Sequence, residues 1–179
     1  IGTIVTDKKV NLWIASSTGL FKYENNILTK ITQTEEEIKH LTFYDKNHLF
    51  YITSTGISLL DISTSKSRLI YPNDTKDFRQ IASLYYDEQL NRLWIGTGAA
   101  GLFYYDIIKK TLSPIPLKGF PKQPILAIKK DINNTLLIGI DGQGIWNISE
   151  KGDKLLNIYK EDLNNPFSLR GDGVYDIFC

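Results

Sequence analysis

The chain is short of the residues that most often announce a chemistry. Its 179 residues hold one cysteine, two histidines and no methionine. A single cysteine, Cys179, forms no internal disulfide, so no disulfide framework holds this fold, and both a reducing and an oxidising compartment stay open. His40 and His48 have no Cys or His partner at ligand spacing, and neither sits in a nucleophile motif. No metal site, cofactor or catalytic residue is therefore expected. Charge of one sign is also missing: the net charge of +1 speaks against a nucleic-acid or anionic-membrane surface. No apolar run reaches the length of a membrane-spanning helix, and no secretory leader pattern is visible. Without a methionine, Ile1 is not a translation start, and the simplest account is a piece of a longer protein. The hydrophobic share of 42% and charged share of 23% are those of a globular domain able to bury a core.

What is present is a phrase stated four times. It reads Leu12-Trp13-Ile14-Ala15-Ser16-Ser17-Thr18-Gly19-Leu20-Phe21 and returns from Leu49 to Ile57, from Leu93 to Phe103 and from Leu136 to Trp146. The closing glycines, Gly19, Gly56, Gly101 and Gly144, are 37, 45 and 43 residues apart. A repeat of roughly 40–45 residues built from short β-branched and aromatic runs has the size and composition of a propeller blade. Each unit reads as four strands. The first runs from Ile1 to Thr6, Ile38 to Phe43, Ile81 to Tyr86 and Ile125 to Lys130. An aspartate follows each time (Asp7, Asp45, Asp87, Asp131), suited to a turn because its carboxylate accepts nearby backbone N–H groups. Pro114 and Pro116 fit an outer edge strand, where a missing donor costs least. The expected fold is all-β: a β-propeller segment of four four-stranded blades, with approximate repeats 1–37, 38–80, 81–124 and 125–173, and residues 174–179 opening a further blade.

Trp13 and Trp94 share one repeat position with Phe50 and Leu137, which marks them as packing between blades. The recurrent glycines suit a positive φ or a close approach of blades. Gly142-Gln143-Gly144 lacks the lysine and helix that a phosphate loop requires. Most aspartates are explained by turns, without a catalytic pair.

Two stretches together suggest a family. Leu93-Trp94-Ile95-Gly96-Thr97 leads to Gly101-Leu102-Phe103-Tyr104-Tyr105-Asp106, and Asn165-Pro166-Phe167-Ser168-Leu169 leads to Val174-Tyr175-Asp176-Ile177. They resemble the two-component-regulator propeller repeat of the periplasmic sensor region in hybrid two-component sensor histidine kinases of Bacteroides-type bacteria. The second and fourth units depart from the pattern, with Phe50 and Leu137 in place of the tryptophan. The resemblance implies a segment of a seven-bladed propeller in the extracytoplasmic part of an inner-membrane receptor. It also implies an oligosaccharide ligand, a homodimer in the full-length receptor, and kinase chemistry and membrane attachment outside this chain.

Residues that break the repeat are the better candidates for binding. The inter-blade loops, Asn73 to Gln80, Lys118 to Gln123 and Asn164 to Gly173, carry Arg79, Gln80, Phe120, Lys122, Gln123, Phe167, Arg170 and Asp172. An aromatic face suits the apolar side of a sugar ring, and amide or charged groups suit its hydroxyls or an acidic substituent. Two other readings are a propeller enzyme, such as a lyase or glycan-cleaving enzyme with His40 in its cluster, and a scaffold propeller with an exposed apolar patch for a protein partner.

Overall fold

The structure is a computed structural model that describes residues 2–32, 36–72 and 81–178. Its contacts divide it into two units, Ile1–Lys76 and Asp77–Cys179. In the first unit, β1 (Ile4–Thr6), β2 (Leu12–Ser16), β3 (Gly19–Glu24) and β4 (Ile27–Lys30) form one antiparallel sheet. β5 (Leu41–Phe43), β6 (His48–Thr53), β7 (Gly56–Asp61) and β8 (Lys66–Pro72) form a second. In the second unit, β9 (Ile81–Asp87), β10 (Arg92–Thr97), β11 (Leu102–Asp106) and β12 (Thr111–Pro114) form a third sheet. The fourth is β13 (Ile125–Lys130), β14 (Leu136–Ile140), β15 (Gly144–Ile148) and β16 (Leu155–Tyr159). Strands neighbour one another in chain order in every sheet. The chain is all-β among the described residues, and its four meandering sheets are the blades of a propeller segment.

The turns follow from local chemistry. Asp7 Oδ1 accepts from the Lys9 and Asn11 N–H groups, and Asp45, Asp87 and Asp131 accept from backbone N–H groups two to four residues on. Asp61 and Asp106 do the same at the hairpin that joins the third strand to the fourth. All four repeated glycines have positive φ, so the hairpin between second and third strands closes without strain.

Each unit builds a core between its two sheets. In the first, Trp13 and Leu20 meet Leu41, Leu49, Tyr51 and Leu60, and the Trp13 and Phe43 rings cross edge to face at 6.1 Å. In the second, Trp94 and Leu102 meet Ile125, Ile128, Leu136 and Ile138. Burying a side chain of this size contributes about 1.5–3 kcal/mol, which is why the tryptophan position recurs. Sheet three comes close to sheet four at Gly96, where a Cβ would run into the Ile125 side chain of sheet four as well as Ser83 Oγ of its own sheet. Ser83 Oγ donates to the Ile125 carbonyl there at 2.9 Å.

Residues 174–178 join no ladder, although a strand is expected there. The reason is positional. A Cβ on Gly139 would meet the Val174 carbonyl and side chain, as one on Gly96 would meet Ile125. The segment therefore lies on sheet four as β13 lies on sheet three, but no neighbouring strand among the described residues completes its hydrogen bonds.

Candidate functional site

An antiparallel meander sends its second and fourth strands the same way. The hairpin after the second strand and the connection after the fourth therefore emerge at the same end of each sheet. In the second unit these segments are bonded into one surface. Asp141 N donates to the Pro124 carbonyl at 2.9 Å, and Gly144 N donates to the Asp172 carbonyl at 3.0 Å. Lys160 Nζ donates to Gln143 Oε1 at 2.9 Å, and Glu161 N donates to Asp172 Oδ1 at 2.8 Å. Loops 115–124, 141–143 and 160–173 thus share one face.

The outermost loop is fixed by its own polar groups. Asn164 N donates to Asp162 Oδ1, and Phe167 N donates to Asn165 Oδ1. Ser168 Oγ accepts from Asp162 N and lies 2.9 Å from the carbonyl oxygens of Asp162 and Asn165. Glu161 and Leu169 form a parallel bridge across the base. These bonds use the backbone donors that water would otherwise hold. They leave the Phe167 ring 94% exposed on an ordered support.

The expected binding residues sort into different fates. Lys122, Gln123 and Arg170 are exposed on the shared face. Asp172 is half-buried and occupied, its carboxylate by Glu161 N and its carbonyl by Gly144 N. Phe120 is half-buried against the core, with its ring 5.4 Å from that of Trp146 at 71°. Arg79 and Gln80 lie outside the described residues. Gln143 and Lys160, neither among the residues expected to bind, join two of the loops. The hairpin's position in the repeat was the available signal, since it opens toward the inter-blade loops.

The opposite end of the sheets holds the perturbed ionisable groups. Burial alone would raise the Asp7 carboxyl. Hydrogen bonds from Asn11, from Trp13 Nε1 at 3.2 Å and from the Asn11 and Lys9 N–H groups outweigh it and hold the group below its ordinary value of 3.8. A carboxyl whose folded pKa is depressed stabilises the fold above its unfolded pKa and loses that contribution as pH falls through the folded value. An acid titration followed by tryptophan fluorescence is therefore expected to show the Asp7 contribution to the first unit's stability intact above pH 3.8 and lost only as pH falls below it. In Asp7→Asn the part of that dependence owed to Asp7 is absent, and stability is lower at neutral pH by about 1 kcal/mol.

The first unit also has a hollow of about 370 Å³ at this end, floored by Leu59 and rimmed by Asp61, Lys66 and Arg68. Charges of both signs rim it, and its Asp61 is engaged by Ser63 and Thr64. The loop surface of the second unit, with its exposed aromatic, is the better candidate.

No protein-family model matches the chain, and no curated protein matches it. Solved structures do. The extracellular domain of the hybrid two-component system BT3049 from B. thetaiotaomicron matches with a TM-score of 0.73 at 19% identity, over 98% of this chain and 24% of that one. The corresponding domain of BT4673 from the same organism matches with a TM-score of 0.50 at 16% identity, over 99% of this chain and 35% of that one. A mitotic checkpoint complex matches with a TM-score of 0.64 at 10% identity, over 88% of this chain and 50% of that one. The chain spans about a quarter to a third of the length of the two bacterial domains. At these identities the likeness is one of fold, and the first two belong to the class of sensor that the sequence motifs resemble. The third is a reminder that this architecture serves unrelated tasks.

Proposed function

We propose that this chain is a ligand-sensing propeller segment of a membrane-anchored hybrid two-component sensor histidine kinase. It binds a glycan-derived oligosaccharide outside the cytoplasm and itself performs no chemistry. The observation that carries the reading is the second unit's loop surface: three loops bonded together, with Phe167 displayed on a loop braced by the Asp162, Asn165 and Ser168 side chains. An aromatic face packs against the apolar side of a pyranose, and exposed amides such as Gln123 reach its hydroxyls. Rigid display matters because a loop ordered before binding does not spend ligand energy on its own ordering. The motif resemblance and the sensor-domain fold matches support the same reading. The kinase, the membrane anchor and the dimer through which binding would regulate carbohydrate-utilisation genes belong to other parts of such a receptor.

Titration calorimetry of the chain with a panel of neutral and acidic oligosaccharides tests the proposal. Saturable binding of at least one glycan, with the others silent, is the expected result. A flat response across the whole panel by a folded chain would retire it.

A further inference from the structure

We infer that Tyr175 is a second stacking platform of the second unit's loop surface, so that the ligand presents at least two sugar rings to it. The inference rests on the oligosaccharide reading above and deepens it.

Each sheet carries an extra residue where its first strand leaves the loop end. In sheet three, Ile81 pairs with Thr97 and Ser83 with Gly96, which leaves Ala82 outside the ladder. In sheet four, Ile125 pairs with Ile140 and Ala127 with Gly139, which leaves Leu126 outside it. In sheet two, Lys39 N donates to the Ile52 carbonyl at 3.1 Å and Ile52 N donates to the His40 carbonyl at 3.0 Å. Gly2 and Thr3 bracket Ala15 in the same way in sheet one. These are β-bulges: two residues oppose one, the strand bends, and a side chain is re-aimed.

Val174 lies against Gly139 as Ile125 lies against Gly96, so Tyr175 takes the place of Ala82 and Leu126. That place holds Gly2, Lys39, Ala82 and Leu126 in the four sheets, and an aromatic only at Tyr175. Ala82 and Leu126 are half-buried, whereas Tyr175 is 77% exposed. The ring is nonetheless supported. A Cβ on Gly173 would lie 3.5 Å from Tyr175 Cε2, so the ring rests beside the Gly173 backbone. Asp172, just before, is tied to Gly144 N and Glu161 N, and Ile177, just after, is buried.

The two ends of the sheets display different apolar groups. The turns at the opposite end show aliphatic tips, Val10, Ile108 and Ile132. The loop end of the second unit shows the rings of Phe167 and Tyr175. An aromatic face carries partial negative charge that attracts the C–H groups of a pyranose, which an aliphatic tip does not. Phe167 stands inside the loop closed by the Glu161–Leu169 bridge, and Tyr175 stands beyond that closure. The two rings thus have separate supports, and each takes its own sugar.

Calorimetry of the chain with cello-, xylo- and malto-oligosaccharide ladders, each from one sugar to four, tests this. Affinity along the ladder that binds is expected to rise once a second sugar is present. Tyr175→Ala should weaken the longer members about tenfold, leave the single sugar unchanged, and leave the denaturation midpoint where it was. Tyr175→Phe keeps the ring and should bind as the native chain does. So should Phe178→Ala, which removes an exposed aromatic three residues further on. Native affinity in Tyr175→Ala would overturn the inference and leave oligosaccharide binding intact. A fall in its midpoint would make the residue structural and overturn it too. So would a loss that Phe178→Ala shares, or one that Tyr175→Phe reproduces, since the hydroxyl and not the ring would then be at work. Silence of the native chain with every ladder would remove both readings together.

Discussion

Replacing Lys130 with alanine is expected to destabilise the second unit by about 3–5 kcal/mol, read as a fall in the denaturant midpoint. The Lys130 side chain is 8% exposed, and its Nζ lies 3.1 Å from Asp87 Oδ2, whose side chain is 1% exposed. The same Nζ donates to Glu150 Oε1 at 2.7 Å and to Gln89 Oε1 at 2.8 Å. The node ties β13 of sheet four to the end of β9 in sheet three. Removing the cation leaves a buried carboxylate facing no positive charge, which costs more than the pair itself contributes. The double variant Lys130→Met/Asp87→Asn should therefore recover much of the loss, because it removes the stranded charge as well. Burial alone would lower the Lys130 pKa. The bonds and charges of Glu150 and Asp87 outweigh it and raise the group above its ordinary value of 10.5. A cation with a raised folded pKa contributes its full stabilisation below its unfolded pKa and loses it as pH rises through the folded one. The unit should thus hold this contribution at neutral pH and lose it only in the alkaline range above 10.5, with Lys130→Met showing no such alkaline component.

Two phenylalanines on the same face of the second unit should behave in opposite ways. Phe167→Ala is expected to leave the denaturation midpoint unchanged, since its ring is 94% exposed. It should weaken oligosaccharide binding about thirtyfold, the loss of about 2 kcal/mol typical of an aromatic anchor. Phe120→Ala should do the reverse. Its ring packs on Trp146 at 5.4 Å, and its truncation is expected to cost about 3 kcal/mol of stability. Calorimetry and chemical denaturation on both variants separate these roles. A binding loss in Phe120→Ala at unchanged stability, or the converse in Phe167→Ala, would reverse the assignment.

This pair shows where the sequence stops being legible. Both phenylalanines break the repeat and occupy inter-blade loops, so both read alike as ligand platforms. What separates them is Trp146, which lies 26 residues from Phe120. The same holds for the two tryptophans at one repeat position. Trp13 Nε1 donates to Asp7, whereas Trp94 Nε1 is buried without a partner among the described residues. Asp87, at the place of Asp7, is instead taken by Lys130 from the next sheet. Gln143 reads as an ordinary turn residue, because its partner, Lys160, stands 17 residues away on another loop.

What is local in this fold is written in the order of its residues. Hydrophobic alternation set the strands, the recurrent aspartates and positive-φ glycines set the turns, and the period set a meander of four-stranded sheets. These rest on neighbours along the chain: the aspartate turns join residues two to four apart and the strand ladders join residues no more than 16 apart, so the local pattern carries them. Packing of one sheet on another settles which loop residues are exposed and which are spent on the core, and which carboxylates face a cation. Those outcomes depend on pairs such as Lys130 with Asp87, 43 residues apart, and Ser83 with Ile125, 42 apart. Nothing in the local pattern encodes them; they exist only once one sheet has been laid against the next.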